Sequence, residues 1–544
     1  MPRAMNKVTY PPLLRGCNTT MNVLTLNEYE ANVIKNCHID DRGVAFTRLG
    51  SRLLNTTALD GAVTSIYNFN RPYGSTTVNT VLVTAGDILY KLNDTTDTFD
   101  YVHPLNTTAR PSWETFQDSS GTAYAILANG HDFIKYDGTT VTGVDTTGDY
   151  PWAQNPRYLK AYGDRLLASG CDSDPSTVWV SDTLDCTEWK PSGSALYWTA
   201  RGQKGDRVTG LGGVYNFGVI FKQFSTDIIT EGDPGSTTAE QITVSSEYGT
   251  TSHWSILNIG NILYFCDESH IYKGILRNAI ENGLEVKPID NNIYDIYRTV
   301  ENHSDIVSAY DAEHQEIQFG IRTKYSITSD KSVVYNIGLS EAKGELGAYD
   351  VWSGWFEGTG YEPYTLSAVY TSDSGTKIYR GDSLGYVYVM EESFQKKDQK
   401  RVAGVTTDYD VPVKITPAPF KPYGITVRKM ARMFMPYVSQ YTDASIKIQW
   451  IVDGSYVLPS TDKYLVLYNR VPYWRASTKT YQKQVWSNTV YTDNAVMPRP
   501  IGIHEPFQYI MFNIICDGTN DKDFITYNGS ELLYQVHQPS RIKG

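Results

Sequence analysis

Short apolar or aromatic runs alternate with turn residues along most of the chain. The pattern is clearest over 158–274, where each run is bounded by Gly, Asp or Asn, as is typical of strands between tight turns. One unit, a turn followed by a strand, recurs at 86–91, 130–136, 163–168, 218–222 and 260–265. The spacing of these units is close to the ~40–50 residues of a four-stranded propeller blade. The pattern therefore predicts a β-propeller.

Similar runs continue over the whole range 61–394. Counting them predicts an all-β fold whose β-propeller has about six blades, with five and seven left open. Closing the blades into a ring leaves few exposed strand edges, which protects a strand-rich chain from aggregation.

The character of the chain changes after the predicted propeller. Residues 395–401 are polar and basic, which is typical of a linker, and we predict one over 395–412. Residues 445–454 alternate polar and apolar and end in Asp-Gly, as a hairpin strand buried on one side does. The pattern predicts a smaller β-sandwich over 413–544, with a long loop excursion at 455–505.

Residues 1–60 are predicted to form an extended arm that leads into the first blade. Within them, Asn27 is a candidate helix cap, and the segment 28–36 is expected to form a short helix. Ala31, Val33 and Ile34 would make up its apolar side.

The composition favours strands and disfavours nucleic-acid binding. The 544 residues include 41 Tyr and 11 Trp, and aromatic side chains pack well on pleated sheets. The formal net charge is −12, so the chain repels nucleic-acid phosphates. Any DNA close to this protein is expected to slide past it without sequence-specific binding.

The six cysteines are scattered without a metal-binding spacing, which predicts free, buried thiols in place of disulfides. The first residues contain no apolar secretory segment, and the sequence has no run of ~18 apolar residues. We therefore expect a soluble product that is made in the cytoplasm and does not insert into a membrane.

The sequence contains no familiar catalytic motif. A phosphate-binding loop, a dinucleotide fingerprint, a zinc-protease motif and a nucleophile elbow are all absent. His131, His253 and His270 fall in strand-like segments, where a structural imidazole is expected. Paired acids such as Asp172 with Asp174 and Glu391 with Glu392 would suit a hydrolase, but such pairs are expected by chance among 60 acidic residues. We therefore expect no enzyme activity, no cofactor and no metal site.

One segment departs from the acidic background. Between residues 396 and 432, nine basic residues outnumber three acidic ones, which gives a net charge of +6. A solvated linker explains such a run, and a docking face for an acidic partner is the alternative. The candidate docking residues are Lys396, Lys397, Lys400, Arg401, Lys421, Arg428, Lys429 and Arg432.

Several turn and strand motifs follow one another in a specific order. They contain Arg42, Gly43, Gly50, Asp164, Arg165, Trp189, Gly205 and Asp206. In this order the chain resembles the tail nozzle of short-tailed bacteriophages, also called the tail tubular or packaged-DNA stabilisation protein. The resemblance covers residues 22–290 and extends more loosely beyond them, but the excursion at 455–505 departs from it.

The resemblance implies a β-propeller subunit of the virion tail, made in the cytoplasm of the bacterial host. It assembles as a ring, typically a homohexamer, below the portal and adaptor rings. The ring continues the DNA channel, helps to retain the packaged genome and opens for DNA ejection. Its expected partners are copies of itself, the adaptor or portal ring, and tail-fibre or needle proteins.

Two other classes of protein remain as alternatives. A propeller glycosidase needs two carboxyl groups ~5–9 Å apart and several Asp-box turns, of which only one partial copy occurs, at 371–376. A receptor- or glycan-binding propeller needs only surface Trp and Tyr. It predicts a monomer or trimer at the outer end of the virion, in place of a ring with a channel.

Overall fold

The computed structural model describes most of the chain. The described residues are 5–73, 76–144, 155–189, 196–199, 206–214, 217–230, 239–276, 284–341, 349–371, 375–391, 396–440, 444–454, 463–467, 497–498, 501–518 and 525–536. Over these residues the fold is almost entirely β-structure, as the sequence pattern predicts.

Six separate four-stranded antiparallel sheets form six propeller blades. The strands of blades 1 and 2 are Val63–Tyr73, Thr76–Ala85, Ile88–Asn93, Thr98–Pro104, Ser112–Gln117, Ala123–Ala128, Phe133–Tyr136 and Val141–Gly143. Those of blades 3 and 4 are Tyr158–Tyr162, Arg165–Cys171, Asp174–Val180, Leu196–Thr199, Val208–Val214, Phe217–Lys222, Thr226–Ile229 and Gln241–Ser245. Those of blades 5 and 6 are Leu257–Ile259, Ile262–Cys266, Ile271–Leu276, Leu284–Pro288, Thr365–Thr371, Gly375–Gly381, Val387–Met390 and Ser51–Leu53.

A further four-stranded unit, which we call the joint blade, completes the ring between blades 5 and 6. Its strands are Val307–Asp311, Glu316–Ile321, Lys331–Asn336 and Val351–Glu357. Unlike the six blades, it belongs to a ten-stranded sheet that continues into the second part of the molecule. The prediction of a β-propeller with about six blades is therefore confirmed, with the joint blade in addition to the six separate sheets.

The first strand of each unit lies innermost, and these strands are neighbours around the ring. We call the side on which the innermost strands begin the front face. Because adjacent strands are antiparallel, the loop between the second and third strands of every unit also lies on the front face.

Blade 6 is closed by a strand from the beginning of the chain. Ser51–Leu53 pairs antiparallel with Val387–Met390 and supplies the outermost strand. Two distant segments thereby lock the ring, which leaves no open gap between the first and the last blade.

The second part is a β-sandwich built from both ends of the chain. One sheet continues the joint blade through Glu30–Lys35, Val413–Pro417, Ile510–Cys516, Ala444–Val452 and Lys463–Leu467, with Gly16–Cys17 beside them. The other consists of Asn6–Tyr10, Cys37–Ile39, Ala45–Thr47, Lys429–Gln440, Met497–Pro498, Ile501–Gly502, Pro506–Phe507 and Ile525–Val536. Most of the predicted excursion at 455–505 lies outside the described residues.

Aromatic side chains fill the space between the two sandwich sheets. Phe434 of one sheet stacks on Phe512 of the other with ring centroids 3.7 Å apart. Phe420 contacts both rings edge-on and stacks on Tyr10 at 4.1 Å. These buried rings join N-terminal and C-terminal strands in one core.

The predicted helix over 28–36 is wrong, because Glu30–Lys35 is a strand. The local capping signals are nonetheless present. The Asn27 side chain accepts from the backbone N–H of Tyr29, and Glu30 accepts from the N–H of Asn27, as in a capping box. Pairing with Val413–Pro417 satisfies the backbone groups that follow, so tertiary contacts override the local signal.

Residues 398–409, inside the predicted linker, form an antiparallel hairpin of Asp398–Val402 and Val405–Tyr409. The residues of 1–60 that lie before the first blade likewise form strands of the sandwich and of blade 6.

The short helices are Val23–Thr25, His253–Ser255, Tyr294–Tyr297, His303–Asp305 and Ile337–Glu341. No helix among the described residues has the length and apolar character needed to cross a membrane. All six cysteines are buried, and none forms a disulfide.

Candidate functional site

The basic residues proposed for docking make separate contacts with different parts of the chain. The Lys421 ammonium donates to the backbone carbonyls of Leu24 and Leu26. Lys429 is fully buried and donates to the carbonyls of Gly424 and Gln508, at 2.7 and 2.6 Å. These two cations hold loops of the sandwich, so they are not available to an outside partner.

Most of the other candidate cations also have contacts within the chain. Lys400 pairs with Glu362 at 3.1 Å, and Lys397 pairs with Asp410 at 3.1 Å. Arg401 donates to Thr406, and Arg432 donates to Gln535. Lys396 is half-buried near Glu391, and Arg428 is exposed. Contacts within the chain thus involve most of these cations, and a docking face at 396–432 stays a prediction.

The residues that carry the family resemblance serve turns in the structure. Gly43 adopts a φ of +79° in the turn where the Arg42 guanidinium contacts Asp40. Gly50 is required by packing, because a Cβ there would lie 2.1 Å from the backbone oxygen of Lys397. Gly50, a predicted motif residue, and Lys397, a predicted docking residue, thus lie in close backbone contact.

The blade 3 and blade 4 motif residues are likewise structural. Arg165 donates to the carbonyl of Ser181 at 2.9 Å, and the Trp189 indole donates to the carbonyl of Cys186 inside the blade 3 core. Asp206 caps a front-face turn of blade 4, since its carboxylate accepts from Gln223 and Ser225. Asp164 is exposed at the turn between the first two strands of blade 3, and Gly205 lies outside the described residues.

A buried ion pair joins the N-terminal segment to the hairpin after blade 6. Arg48 and Asp398 are 0% and 1% exposed, and the guanidinium makes two bonds of 3.0 and 2.5 Å to the carboxylate. Ser51 adds its backbone N–H and its hydroxyl to the same carboxylate. Burial alone would raise the pKa of Asp398, but the adjacent Arg48 charge holds it below its usual value.

A second buried cluster lies beside this pair. The two ring nitrogens of His38 are 2.6 Å from Glu316 of the joint blade and 3.3 Å from Glu391 after blade 6. Burial alone would lower the pKa of His38, but the two carboxylates raise it well above its usual value. His38 is therefore an imidazolium between two carboxylates, and it connects the sandwich to two propeller units. The imidazole of His314, bonded to Asp311, stacks on His38 at 3.9 Å.

Several large apolar side chains are exposed on the front face. Tyr325 and Ile327, in the loop between the second and third strands of the joint blade, are 88% and 94% exposed. Phe224, in the corresponding loop of blade 4, is 60% exposed. Large apolar side chains exposed on loops of one face are a feature of surfaces that bind another protein.

A central cavity of about 240 Å³ lies on the propeller axis. Residues from innermost strands all around the ring line it, including Ser65, Ser112, Lys160, Ser308 and Thr365. The small volume and the closed wall mean that the axis of one propeller is a packed pocket and not a wide channel.

Arg110 and Trp254 close the cavity on the front face. The Arg110 guanidinium lies 5.3 Å from the Trp254 ring and donates to the carbonyls of Asp305 and Tyr364. The Trp254 indole donates to the carbonyl of Pro111 at 3.0 Å. These contacts connect loops that precede blades 2, 5 and 6 and the joint blade, so they stiffen the ring across its axis.

His253 and Ser112 meet in the cavity without forming a nucleophile and its base. The backbone N–H of Leu211 donates to Nδ1 of His253, which places the ring proton on Nε2, 2.9 Å from Ser112 Oγ. Burial, with the neighbouring Lys160 charge, lowers the pKa of His253 to about 3. The neutral imidazole donates to Ser112 and cannot take its proton.

The acids considered for hydrolysis have structural partners. Asp172 pairs with Arg157 at 2.9 Å on the surface. Glu391 is buried against His38 and also accepts from the backbone N–H of Leu49. No group of three or more His, Cys, Asp or Glu side chains among the described residues is arranged to hold a metal ion.

Comparisons with known proteins give only distant likenesses. No protein-family model and no curated protein sequence matches the chain. A chain of the mitotic checkpoint complex is similar at 10% sequence identity and a TM-score of 0.39, covering 62% of this chain and 96% of that one. The extracellular domain of a protein described as a one-component system of B. thetaiotaomicron is similar at 11% identity and a TM-score of 0.40, covering 82% and 58%. At these TM-scores neither structure informs function; the β-propeller fold itself fits a binding or structural protein.

Proposed function

We propose that this chain is a structural subunit of a short-tailed bacteriophage tail that assembles as a ring, a homohexamer, below the portal and adaptor rings. The proposal rests on the order of motifs that resembles the tail nozzle. The ring would continue the DNA channel, retain the packaged genome and open for ejection.

The observation that carries ring assembly is the exposed apolar front face. Phe224, Tyr325 and Ile327 together expose large apolar surface without a covering segment among the described residues. A head-to-tail ring buries a patch of each subunit against a different patch of its neighbour. Burial of such a patch releases about 25 cal/mol for each Å² of apolar surface, which supports association.

The closed propeller axis decides where a DNA channel would lie. A cavity of about 240 Å³, covered by Arg110 and Trp254, cannot admit a duplex whose major groove alone is about 12 Å wide. In this proposal the channel is enclosed by several subunits and does not run through each propeller.

The charge distribution supports passage of DNA without binding. The net charge is −12, and the predicted cations at Lys421 and Lys429 are occupied by backbone carbonyls. A channel wall with few free cations gives a weak electrostatic attraction to phosphates.

The joint between the two parts of the subunit suits a rigid ring. Asn36 donates to the carbonyls of Glu357 and Pro412, and the N–H of Glu357 donates back to Asn36. With the shared sheet, these bonds restrain rotation of the sandwich against the propeller.

The test is native mass spectrometry of the full chain followed by negative-stain imaging, with and without the adaptor and portal proteins. A six-fold ring with a central channel is the expected result. A chain that stays monomeric or trimeric under all these conditions refutes the proposal.

A glycan-binding propeller is the second candidate, favoured by Trp113 and Trp254 in the central cavity. The ring of Trp113 stacks on Tyr67, and Arg110 covers the Trp254 ring, so neither indole is fully open to a sugar. Binding of glycans by a monomer or trimer would support this candidate over the ring.

A further inference from the structure

We propose that the central cavity is a binding site for a small oxyanion, a phosphate or a short-chain carboxylate. The inference is independent of the ring, because it concerns the axis of a single propeller. It rests on the hydrogen-bonding groups that line the cavity and on their charge.

Arg110 is the main candidate ligand-binding group. It uses two of its five N–H donors on the carbonyls of Asp305 and Tyr364. The others have no acceptor among the described residues, and the guanidinium forms no ion pair there, although the Asp305 carboxylate is near enough to act on its charge. Burial lowers the pKa of Arg110, which means that its charge is poorly solvated and would gain from an anion.

Ser112 offers a second donor to the same space. Its oxygen accepts from the backbone N–H of Leu159 at 3.0 Å and from Nε2 of His253 at 2.9 Å. Because both lone pairs of this oxygen are engaged, the hydroxyl group can act further only as a donor, to a group other than Leu159 and His253. Arg110 and Ser112 line the same cavity, so this proton and the Arg110 guanidinium are offered to one enclosed space.

Thr365 offers a third donor. It lines the cavity, is 4% exposed and has no described hydrogen bond from its hydroxyl. It directly follows Tyr364, whose carbonyl holds Arg110. Thr365 and Arg110 therefore line the same cavity at adjacent positions of its wall.

The charge of the cavity is positive in an acidic protein. Arg110 and Lys160 are the cationic lining residues, and Glu114 is the anionic one. Lys160 and Glu114 pair with each other at 2.7 Å, and His253 is neutral, so the lining residues carry one net positive charge, with the Asp305 carboxylate outside the lining. Unpaired donors and a net positive charge together select an acceptor that is negatively charged.

The size of the cavity limits the ligand. A volume of about 240 Å³ corresponds to about eight water molecules at ~30 Å³ each and falls below the ~300–1,000 Å³ of pockets for drug-sized ligands. Inorganic phosphate or a carboxylate of a few carbon atoms fits this space. A nucleotide does not.

Isothermal titration calorimetry of the full chain tests the proposal, in a buffer of low ionic strength without oxyanions. Inorganic phosphate and succinate are titrated separately, so that the two arms identify the preferred oxyanion. We expect saturable binding of at least one of them with one site per chain. Arg110→Gln is expected to weaken this binding about 10- to 100-fold, as loss of a charged hydrogen-bond donor does.

Two further variants separate binding from folding. Thr365→Val removes a donor that holds nothing else in the described structure, and it should weaken binding about 3- to 10-fold. Arg428→Gln removes an exposed charge far from the cavity in sequence and should leave binding unchanged. The proposal is overturned if the wild-type chain binds neither anion, or if Arg110→Gln and Thr365→Val bind as the wild type does. If Arg110→Gln does not fold, the Thr365→Val result alone decides.

Discussion

Replacing Asp398 by Ala is expected to loosen the contact between the N-terminal segment and blade 6. The side chain is 1% exposed, and its carboxylate accepts four hydrogen bonds, two from Arg48 and two from Ser51. The variant leaves the Arg48 guanidinium buried, with only Asn36 and the Leu49 carbonyl as described hydrogen-bond partners. Breaking a buried ion pair in this way costs about 3–5 kcal/mol.

The matched control is the exposed pair of Arg157 and Asp172, whose side chains are 46% and 52% exposed. Asp172→Ala should cost at most about 1 kcal/mol, because water solvates the remaining charge. Urea unfolding measured by tryptophan fluorescence compares the two variants. The double variant Arg48→Met with Asp398→Leu removes both charges, and it should recover most of the loss caused by Asp398→Ala.

The pH dependence supplies an independent check on the same pair. Because Arg48 holds the pKa of Asp398 below its usual value, the stabilisation is present above about pH 4 and is lost as the pH falls through the lowered pKa. The difference between wild type and Asp398→Ala should therefore shrink in acid. Equal losses for Asp398→Ala and Asp172→Ala at neutral pH would refute the reasoning.

Three further changes test the joint and the front face. Gly354→Ala should cost about 2–4 kcal/mol in urea unfolding, because its φ is +97° and a Cβ would lie 2.0 Å from the backbone oxygen of Ile34. The control is Gly502→Ala, which has open space around it and should change the free energy of unfolding by less than about 0.5 kcal/mol. The pKa of His38 is raised, so the stabilisation it provides is complete below about pH 6.5 and is lost as the pH rises through the raised value. His38→Gln should therefore flatten the fall of the urea midpoint toward alkaline pH. An unchanged slope would count against a charged His38. Ile327→Ser should reduce the ring population in native mass spectrometry without changing the unfolding temperature, and undiminished rings would exclude this loop from the interface.

The local part of the fold could be predicted because its signals are local. Gly86, Gly163 and Gly260 have positive φ, and each precedes a strand as predicted. Gly86, however, lies between the second and third strands of its blade, whereas Gly163 and Gly260 lie between the first and second. The recurring unit therefore marks hairpins without marking a fixed position in the blade, which is why its spacing identified the propeller but left the blade count open.

The joint could not be predicted, since it depends on residues far apart in the chain. Glu30–Lys35 becomes a strand through pairing with Val413–Pro417, although its own N-terminal signals favour a helix. The donors that line the central cavity were missed for the same reason. Ser112, His253 and Thr365 come from different blades, and no spacing along the sequence brings them together.

The buried charges at the joint explain how one chain holds two β-rich bodies in a fixed relation. His38 and Arg48 lie close together in the sequence, yet their carboxylate partners come from the joint blade, from the end of blade 6 and from the hairpin after it. Each charge is satisfied only when all these segments are in place, because a misplaced strand would leave a buried ion unpaired at a cost of several kcal/mol. Apolar contacts alone would tolerate a shift of the sandwich against the propeller. The ion pairs favour a single arrangement, and in the proposed ring this rigidity would let a displacement at the front face reach the sandwich.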